Sequence, residues 1–314
     1  FIVDTTSWRW VFLINIPVGG FALLVTSTVL RLPVIRRSHR LDLEGAVLLT
    51  AGVSCLLLGL VWGGTEYPWN SPVIIGLAVG GTVLTTVFVY WESRALEPLL
   101  PLRLFRDSII SVSSFLAFLI GCALFGAVVF LPLFFQVVTG VTATNSGLLI
   151  LPLTVGIVAG SVGSGRLTTS TGRYKIFPVV GMFMAGLGMY LLSLMHTGTS
   201  QLESSCYMVL LGLGLGMVMQ VTLLAVQNAA DYRDLGVATS SAQFFRSMGG
   251  AFGVAVFGAI MNTRLLEELP ARMPAETVAQ VSGEVTRLLS SPAAIRTLPA
   301  PIASGITGSV EVAI

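Results

Sequence analysis

The sequence predicts an all-α integral membrane protein, a bundle of about eight transmembrane helices, and three observations carry that prediction. The 314 residues are 54% hydrophobic and only 10% charged, with a mean hydropathy of +0.88, whereas soluble domains are about a quarter charged. Apolar runs close to the roughly 20 residues that span a bilayer as a helix recur along the chain. The cations collect in alternate loops, as they do when short Arg-rich loops stay on the cytoplasmic side.

In order, the runs are approximately 10–30, 43–62, 73–91, 109–138, 147–164, 176–195, 206–228 and 237–261. Pro132 is expected to break or tilt the fourth near its outer end. The stretch from Gly165 to Lys175 sits between two uncharged runs and carries Arg166, Arg173 and Lys175 with no acid. It reads as a tight cytoplasmic turn. The other loops follow suit: Arg31, Arg36, Arg37 and Arg40, then Arg94, Arg103 and Arg106, then Arg233. Those four loops hold eleven cations, and the intervening loops 63–72, 139–146 and 196–205 hold none. The first helix therefore runs outside to inside, and the eighth runs inside to outside. Residues 262–314 become an extracytoplasmic segment, with an amphipathic helix carrying Val278, Val281, Val285 and Leu288 on one face. After Pro301 the chain turns apolar again but stops before a further span. Its first residue is Phe, so the front of a longer protein is expected to be missing.

Within the spans, Gly156/Gly160, Gly212/Gly216 and Gly249/Gly253 form GxxxG pairs, the spacing that lets membrane helices approach closely. They fit static packing and rocking helices equally well. Cys55, Cys122 and Cys206 lie in or beside separate runs without a CxxC pair and read as small hydrophobes. His39 and His196 fall on opposite sides of the membrane. No HExxH, GxSxG or P-loop pattern occurs, so an enzyme is not expected, no cofactor or metal is implied, and any energy source would be an ion gradient. The scattered basic residues give no reason to expect nucleic acid as a partner. The partner that composition itself implies is the lipid bilayer.

Ionisable residues inside a span are costly and mark function, and they are scarce here. Asp42 and Glu44 sit at the start of a helix, where capping explains them. Asp231 and Asp234 lie in a turn, solvated or paired with Arg233. Arg246 lies about two turns inside the eighth span. It either faces a cavity, meets an acid on another helix, or snorkels to the interface. Gln136, Gln220, Gln227, Asn228 and Gln243 either bridge helices or line a pathway. Phe115, Phe118, Phe125, Phe130, Phe134 and Phe135 make the fourth span aromatic, which is a wall for lipophilic cations and apolar drugs or plain packing.

The segment Thr6–Gly20, with Trp8, Arg9, Trp10, Asn15 and Pro17, resembles the sixth-helix signature WRWxFxINxPxG of the fourteen-helix drug–proton antiporters of the EmrB/QacA type, in the major facilitator superfamily. Leu41–Gly45, Glu97–Arg106, Asp234–Thr239 and Arg246–Gly253 resemble that family's approaches to helices seven, nine and thirteen. The resemblance implies helices six to thirteen of such a transporter. Residues 1–30 would end the first half-bundle, 31–108 would hold two linker helices, 109–261 five helices of the second half-bundle, and 262–314 an outer loop. It further implies a small-molecule substrate, a lipophilic or cationic drug, exchanged for protons across the plasma membrane by rocking of two halves, with a fragment inactive by itself. Gly165, Leu167, Gly172, Arg173 and Lys175 match the second-half echo of the family's transport and gating loop. Thr169 stands where that motif has Asp, and Ser170 where a base is usual. A membrane enzyme, a non-transporting subunit and a facilitator of another solute are the competing readings.

Overall fold

A computed structural model describes residues 7, 9–29, 42–64, 66–95, 97–272 and 300–314. Contacts divide the chain into two units, Phe1–Leu41 and Asp42–Ile314. In the first, α1 (Trp10–Leu13) and α2 (Asn15–Val29) are separated at Ile14. Pro17 falls in the first turn of α2, where a missing N–H costs no helical bond. Trp8 and most of loop 31–42, with Arg36 and His39, lie outside the described residues.

The second unit contains α3 (Leu43–Trp62), α4 (Pro72–Glu92), α5 (Ser108–Val137), α6 (Ala143–Leu149), α7 (Leu151–Thr171), α8 (Ile176–Leu192), α9 (Gln201–Ala229), α10 (Leu235–Arg272) and α11 (Ala300–Ala313). Among the described residues it has no strand beyond an isolated bridge between Gly63 and Tyr67. Local chemistry starts these helices. Asp42 accepts from Gly45 N–H at 2.8 Å, and Asp107 accepts from Ile109 N–H at 2.7 Å. Ser71, followed by Pro72, accepts from Ile74 N–H at the start of α4, and Ser200 opens α9. A side-chain oxygen at each of these positions satisfies an N–H that the helix leaves unpaired.

Among the described residues six helices are long and apolar enough to cross a membrane, and two shorter apolar helices stand at the other two expected runs. The first and sixth apolar runs form helices of 15 and 17 residues, Asn15–Val29 and Ile176–Leu192. The sixth is curtailed where the Ser193 hydroxyl bonds the Tyr190 carbonyl and the chain turns.

Four further expectations are corrected. Gly165 to Thr171 is helical, so the turn is only Gly172 to Lys175. Thr169 and Thr171 bond back to the carbonyls of Gly165 and Leu167, and the helix stops only where Gly172 takes φ +69°, a conformation cheap for glycine alone. Pro132 does not interrupt α5, which runs on to Val137. The eighth span does not end near Met261: α10 continues to Arg272 because Leu265 and Leu269, both fully buried, pack on Ile306 and Val310 of α11. The stretch after Pro301 is thus a docked helix, while the expected amphipathic helix with Val278 and Val285 lies outside the described residues. Finally, Asp234 pairs with Arg103 at 2.8 Å and not with Arg233.

That ion pair joins the loop before α5 to the loop before α10. Trp91 Nε1 donates to Asp42 Oδ1 at 3.2 Å, joining the end of α4 to the start of α3. At the other end of the bundle, Asn262 donates to the Gly64 carbonyl at 3.2 Å, and Thr197 N–H donates to Glu311 at 2.9 Å. The loops carrying Arg103 and Asp234 therefore share one end with the start of α3, and the Arg-free loops at Gly64 and Thr197 lie against α10 and α11 away from it.

Glycines set the packing. A Cβ on Gly156 or Gly160 of α7 would overlap the carbonyl oxygens of Val209 or Leu213 on α9, and one on Gly212 or Gly216 would overlap those of Leu153 or Ile157. The same close approach joins α5 to α10, where a Cβ on Gly121 would meet the Arg246 carbonyl and one on Gly249 the Phe118 carbonyl. Valines on the opposite faces, such as Val155, Val158 and Val179, stay exposed, as a lipid-facing surface requires. Gly212→Val is expected to cost at least about 1–3 kcal/mol through overpacking, read as a lower unfolding midpoint in detergent. Gly163→Val, where a Cβ meets open space, is the matched control and should leave the midpoint close to that of the unmodified chain.

Candidate functional site

Four helices enclose a cavity of about 150 Å³ whose lining includes Ser161 of α7, Gln220 and Thr222 of α9, and Gln243 and Arg246 of α10, closed on the α5 side by Ala117 and Ile120. At 1.5 Å per helical residue, each of these lies roughly 11–18 Å along its own helix from the Arg-bearing end. The hydrocarbon core is about 30 Å thick, so the cavity sits near its midplane.

The polar lining is largely unsatisfied. Ser161 donates to the Gly216 carbonyl at 3.1 Å. Thr222 is 4% exposed, and its hydroxyl has no hydrogen-bond partner. Gln220, Gln243 and Arg246 make no side-chain hydrogen bond, and Arg246 makes no ion pair, among the described residues. Buried polar groups are ordinarily paired because leaving one unpaired costs about 1–3 kcal/mol. Thr222 is such a group; Gln220 and Arg246 are half-buried and Gln243 is exposed, so these three hold their polar atoms open to whatever enters the cavity. Gly165 packs on this site: a Cβ there would lie 3.2 Å from Gln220 Cγ.

The structure therefore brings Gln220 and Arg246 together and places the other expected cavity residues elsewhere. Phe115 is 61% exposed, and Phe118 stacks at a tilt on Phe252 with centroids 6.4 Å apart. Gln136 Nε2 donates to Ser146 Oγ at 3.0 Å, bridging α5 to α6. Gln227 is exposed one turn from the end of α9, and Arg166, Arg173 and Lys175 are exposed around the α7–α8 turn, which Gly172 makes. Of the signature residues, Arg9 caps α1 and Trp10 begins it, while Asn15 and Pro17 open α2. Ser161 and Thr222 were missed in the sequence because a lone hydroxyl on an apolar helix usually bonds its own backbone.

A second cavity, about 270 Å³, lies at the Arg-free end between Phe130, Phe134, Met189, Phe257 and Glu311. It is mostly apolar, and its one carboxylate already accepts from Thr197 N–H.

Among the described residues, Glu92 is the charged residue that is buried. It is 2% exposed at the end of α4. One carboxyl oxygen accepts from Leu100 N–H and the other has no partner, so Glu92 pins the loop before α5 at the Arg-bearing end. Among the described residues, no group of His, Cys, Asp and Glu could hold a metal. Glu92→Ala should leave Leu100 N–H unpaired, costing about 1–3 kcal/mol, and accelerate its hydrogen exchange. Glu92→Gln keeps an acceptor and should preserve the protection.

The comparisons agree with a membrane transporter. Residues 1–254 match the Major Facilitator Superfamily family model. An uncharacterised transporter of that type from Mycobacterium tuberculosis is 40% identical over 308 residues, covering 97% of this chain and 44% of its own length. The multidrug transporter protein MdtP of Bacillus subtilis is 35% identical over 97% of this chain and 59% of its own length. The efflux pump MFS1 of Trichophyton rubrum is 34% identical over 84% and 51% respectively. The chain thus spans about half the length of these relatives, which are transporters and not enzymes. This chain, a multi-span membrane protein, belongs to the major facilitator superfamily.

Proposed function

We propose that the chain supplies helices six to thirteen of a fourteen-helix drug–proton antiporter, with its Arg-bearing loops in the cytoplasm of a plasma-membrane-bound cell, and that the assembled protein exports lipophilic small molecules. The observation that carries this reading is the midplane cavity with its unpaired Gln220, Thr222, Gln243 and Arg246. Transporters of this architecture bind substrate at the midplane, between two halves that rock about it, and this partly open cavity, lined by helices of one half, would supply one wall of such a site. The relatives named as multidrug or efflux proteins and the match to about half of their length support both the efflux reading and the register.

In this register α3 and α4 are the linker pair, and α5, α7, α8, α9 and α10 belong to the second half-bundle. The proton-carrying acids then belong to the first half, because α5, α7 and α10 hold no Asp or Glu between Ser108 and Met261, and α9 holds only Glu203 near its outer end. The turn at Gly172 and the Arg103–Asp234 pair lie on the cytoplasmic face, where the second half would meet the first as it rocks.

Cells expressing this chain alone are expected to accumulate Nile red, a neutral lipophilic dye, like vector controls. Fused behind the five amino-terminal helices of the Bacillus multidrug transporter, the chain is expected to lower accumulation, and an uncoupler should reverse the effect. Efflux by the fusion that is insensitive to uncoupler would remove proton coupling from the reading. Robust proton-driven efflux by the chain alone would overturn its assignment as half of a transporter.

A further inference from the structure

We infer that the midplane cavity is an organic-anion subsite: it takes the carboxylate, sulfonate or enolate head of an amphiphile, with Arg246 as counter-ion and Gln220, Gln243 and Thr222 as hydrogen-bonding partners. This assignment rests on the transport reading above and adds the charge of the substrate to it.

The charge inventory carries the argument. Arg246 is the cavity's one formal charge. Its guanidinium meets no carboxylate among the described residues. The acids nearest in sequence stand at the Arg-bearing ends of the lining helices: Asp234, 12 residues before Arg246 and already paired with Arg103, and Asp231, 9 residues beyond Thr222. At 1.5 Å per helical residue Asp234 is roughly 18 Å along α10 from Arg246, and the acids within the helices, Glu203 and Glu267, are roughly 25 Å and 30 Å from Gln220 and Arg246. A cation entering the cavity would meet a like charge with nothing to offset it. An anion would meet a guanidinium, whose fork of N–H donors suits a carboxylate.

The backbone that carries Arg246 is also held in place. Its own carbonyl sits against Gly121 of α5 so closely that a Cβ there would overlap it. The aromatic residues that could attract a cation lie elsewhere: Phe115 is exposed and Phe118 packs on Phe252. The volume sets the size of the occupant. At about 150 Å³ the cavity accepts a head group, since pockets for whole drug-sized molecules run from about 300 to 1,000 Å³. The tail of the amphiphile would lie outside it. The Thr222 hydroxyl, buried and unpartnered, and two glutamines supply donors and acceptors for a carbonyl or hydroxyl beside the anionic group.

The test uses the purified 314-residue chain in phosphatidylcholine nanodiscs, with empty discs as the partition control. Equilibrium dialysis compares three probes built on one ring system: 2-naphthoate, its methyl ester and 2-naphthylmethylammonium. We expect naphthoate to bind about tenfold or more tighter than the other two, the scale of a charge-assisted hydrogen bond. Arg246→Gln should erase that preference and Arg246→Lys should keep most of it. Gln220→Leu should weaken naphthoate several-fold without reversing the order of the probes. The order measured on the unmodified chain decides the matter even where a variant fails to fold. Ester or ammonium binding as tightly as naphthoate would overturn the anion assignment and leave the transport reading standing. Saturable binding of none of the three would overturn the cavity as a substrate site, and with it the observation that carries the transport reading. Discs containing phosphatidylglycerol separate a solute from a lipid. Unchanged naphthoate affinity supports a free organic anion, and competition by that lipid would give the cavity to a lipid head group and overturn its assignment to substrate.

Discussion

The direct contact of backbone with backbone at the glycines is the constraint on which this structure depends. In lipid, apolar side chains gain little by leaving the surrounding hydrocarbon for one another, so helices associate through close fit and polar contacts. Gly156 and Gly160 fit against Gly212 and Gly216 so closely that each glycine faces a carbonyl oxygen of the opposite helix. Gly121 and Gly249 do the same for α5 and α10. These contacts bring the four helices near enough for side chains from three of them to reach a single small cavity.

The polar groups follow from that proximity. Ser161 Oγ donates to the carbonyl of Gly216, one of the glycines in the contact, so a packing position also shapes the cavity wall. Gly165 lies one turn further along α7 and rests on Gln220. An arginine at the midplane of an isolated helix costs about 3 kcal/mol or more. Here it is retained beside Gln220, Gln243 and Thr222, which also find no protein partner. A bundle built for stability alone would pair such groups or replace them with apolar ones. Their persistence together is an argument for binding and against a structural role.

Much of the fold was legible in the sequence because bilayer thickness and loop charge are coarse constraints. The run 43–62 became the helix Leu43–Trp62, and the run 73–91 became a helix within one residue at each end. Helix ends were less legible where no local signal marks them. The seven residues from Gly165 to Thr171 look like a polar loop, but the hydroxyls of Thr169, Ser170 and Thr171 bond back to their own helix, which continues to Gly172. The extension of α10 past Met261 depends on Leu265 and Leu269 meeting Ile306 and Val310, a contact some 40 residues away in sequence. Asp234 illustrates the same limit: its neighbour Arg233 was the obvious partner, but the loop carrying Arg103 arrives from 131 residues away. Of the site, the intramembrane Arg and glutamines stood out by composition. Their convergence, and the unpaired state of Thr222, required the packing.

The packing also couples the cavity to motion. The Arg246 side chain lines the cavity while its carbonyl abuts Gly121, so α10 cannot slide along α5 without carrying the guanidinium with it. Gly249 and Gly253, one and two turns further along, lie against Phe118 and Cys122 of the same helix, and Cys122 Sγ donates to the Gly249 carbonyl at 3.1 Å. Three successive turns of α10 are thereby fixed to α5, which favours movement of the pair as one rigid body over slippage within it. Ile120 of α5 also shares one apolar core with Leu153 of α7 and Leu211 and Leu215 of α9, so the helices that line the cavity hold together as one body. On the α9 side, Gln220 and Thr222 approach Arg246 across the cavity itself and not through a glycine contact. The cavity thus lies along the seam between two tightly packed pairs, α5 with α10 and α7 with α9, and a ligand bridging Arg246 to Gln220 would tie those pairs together across it.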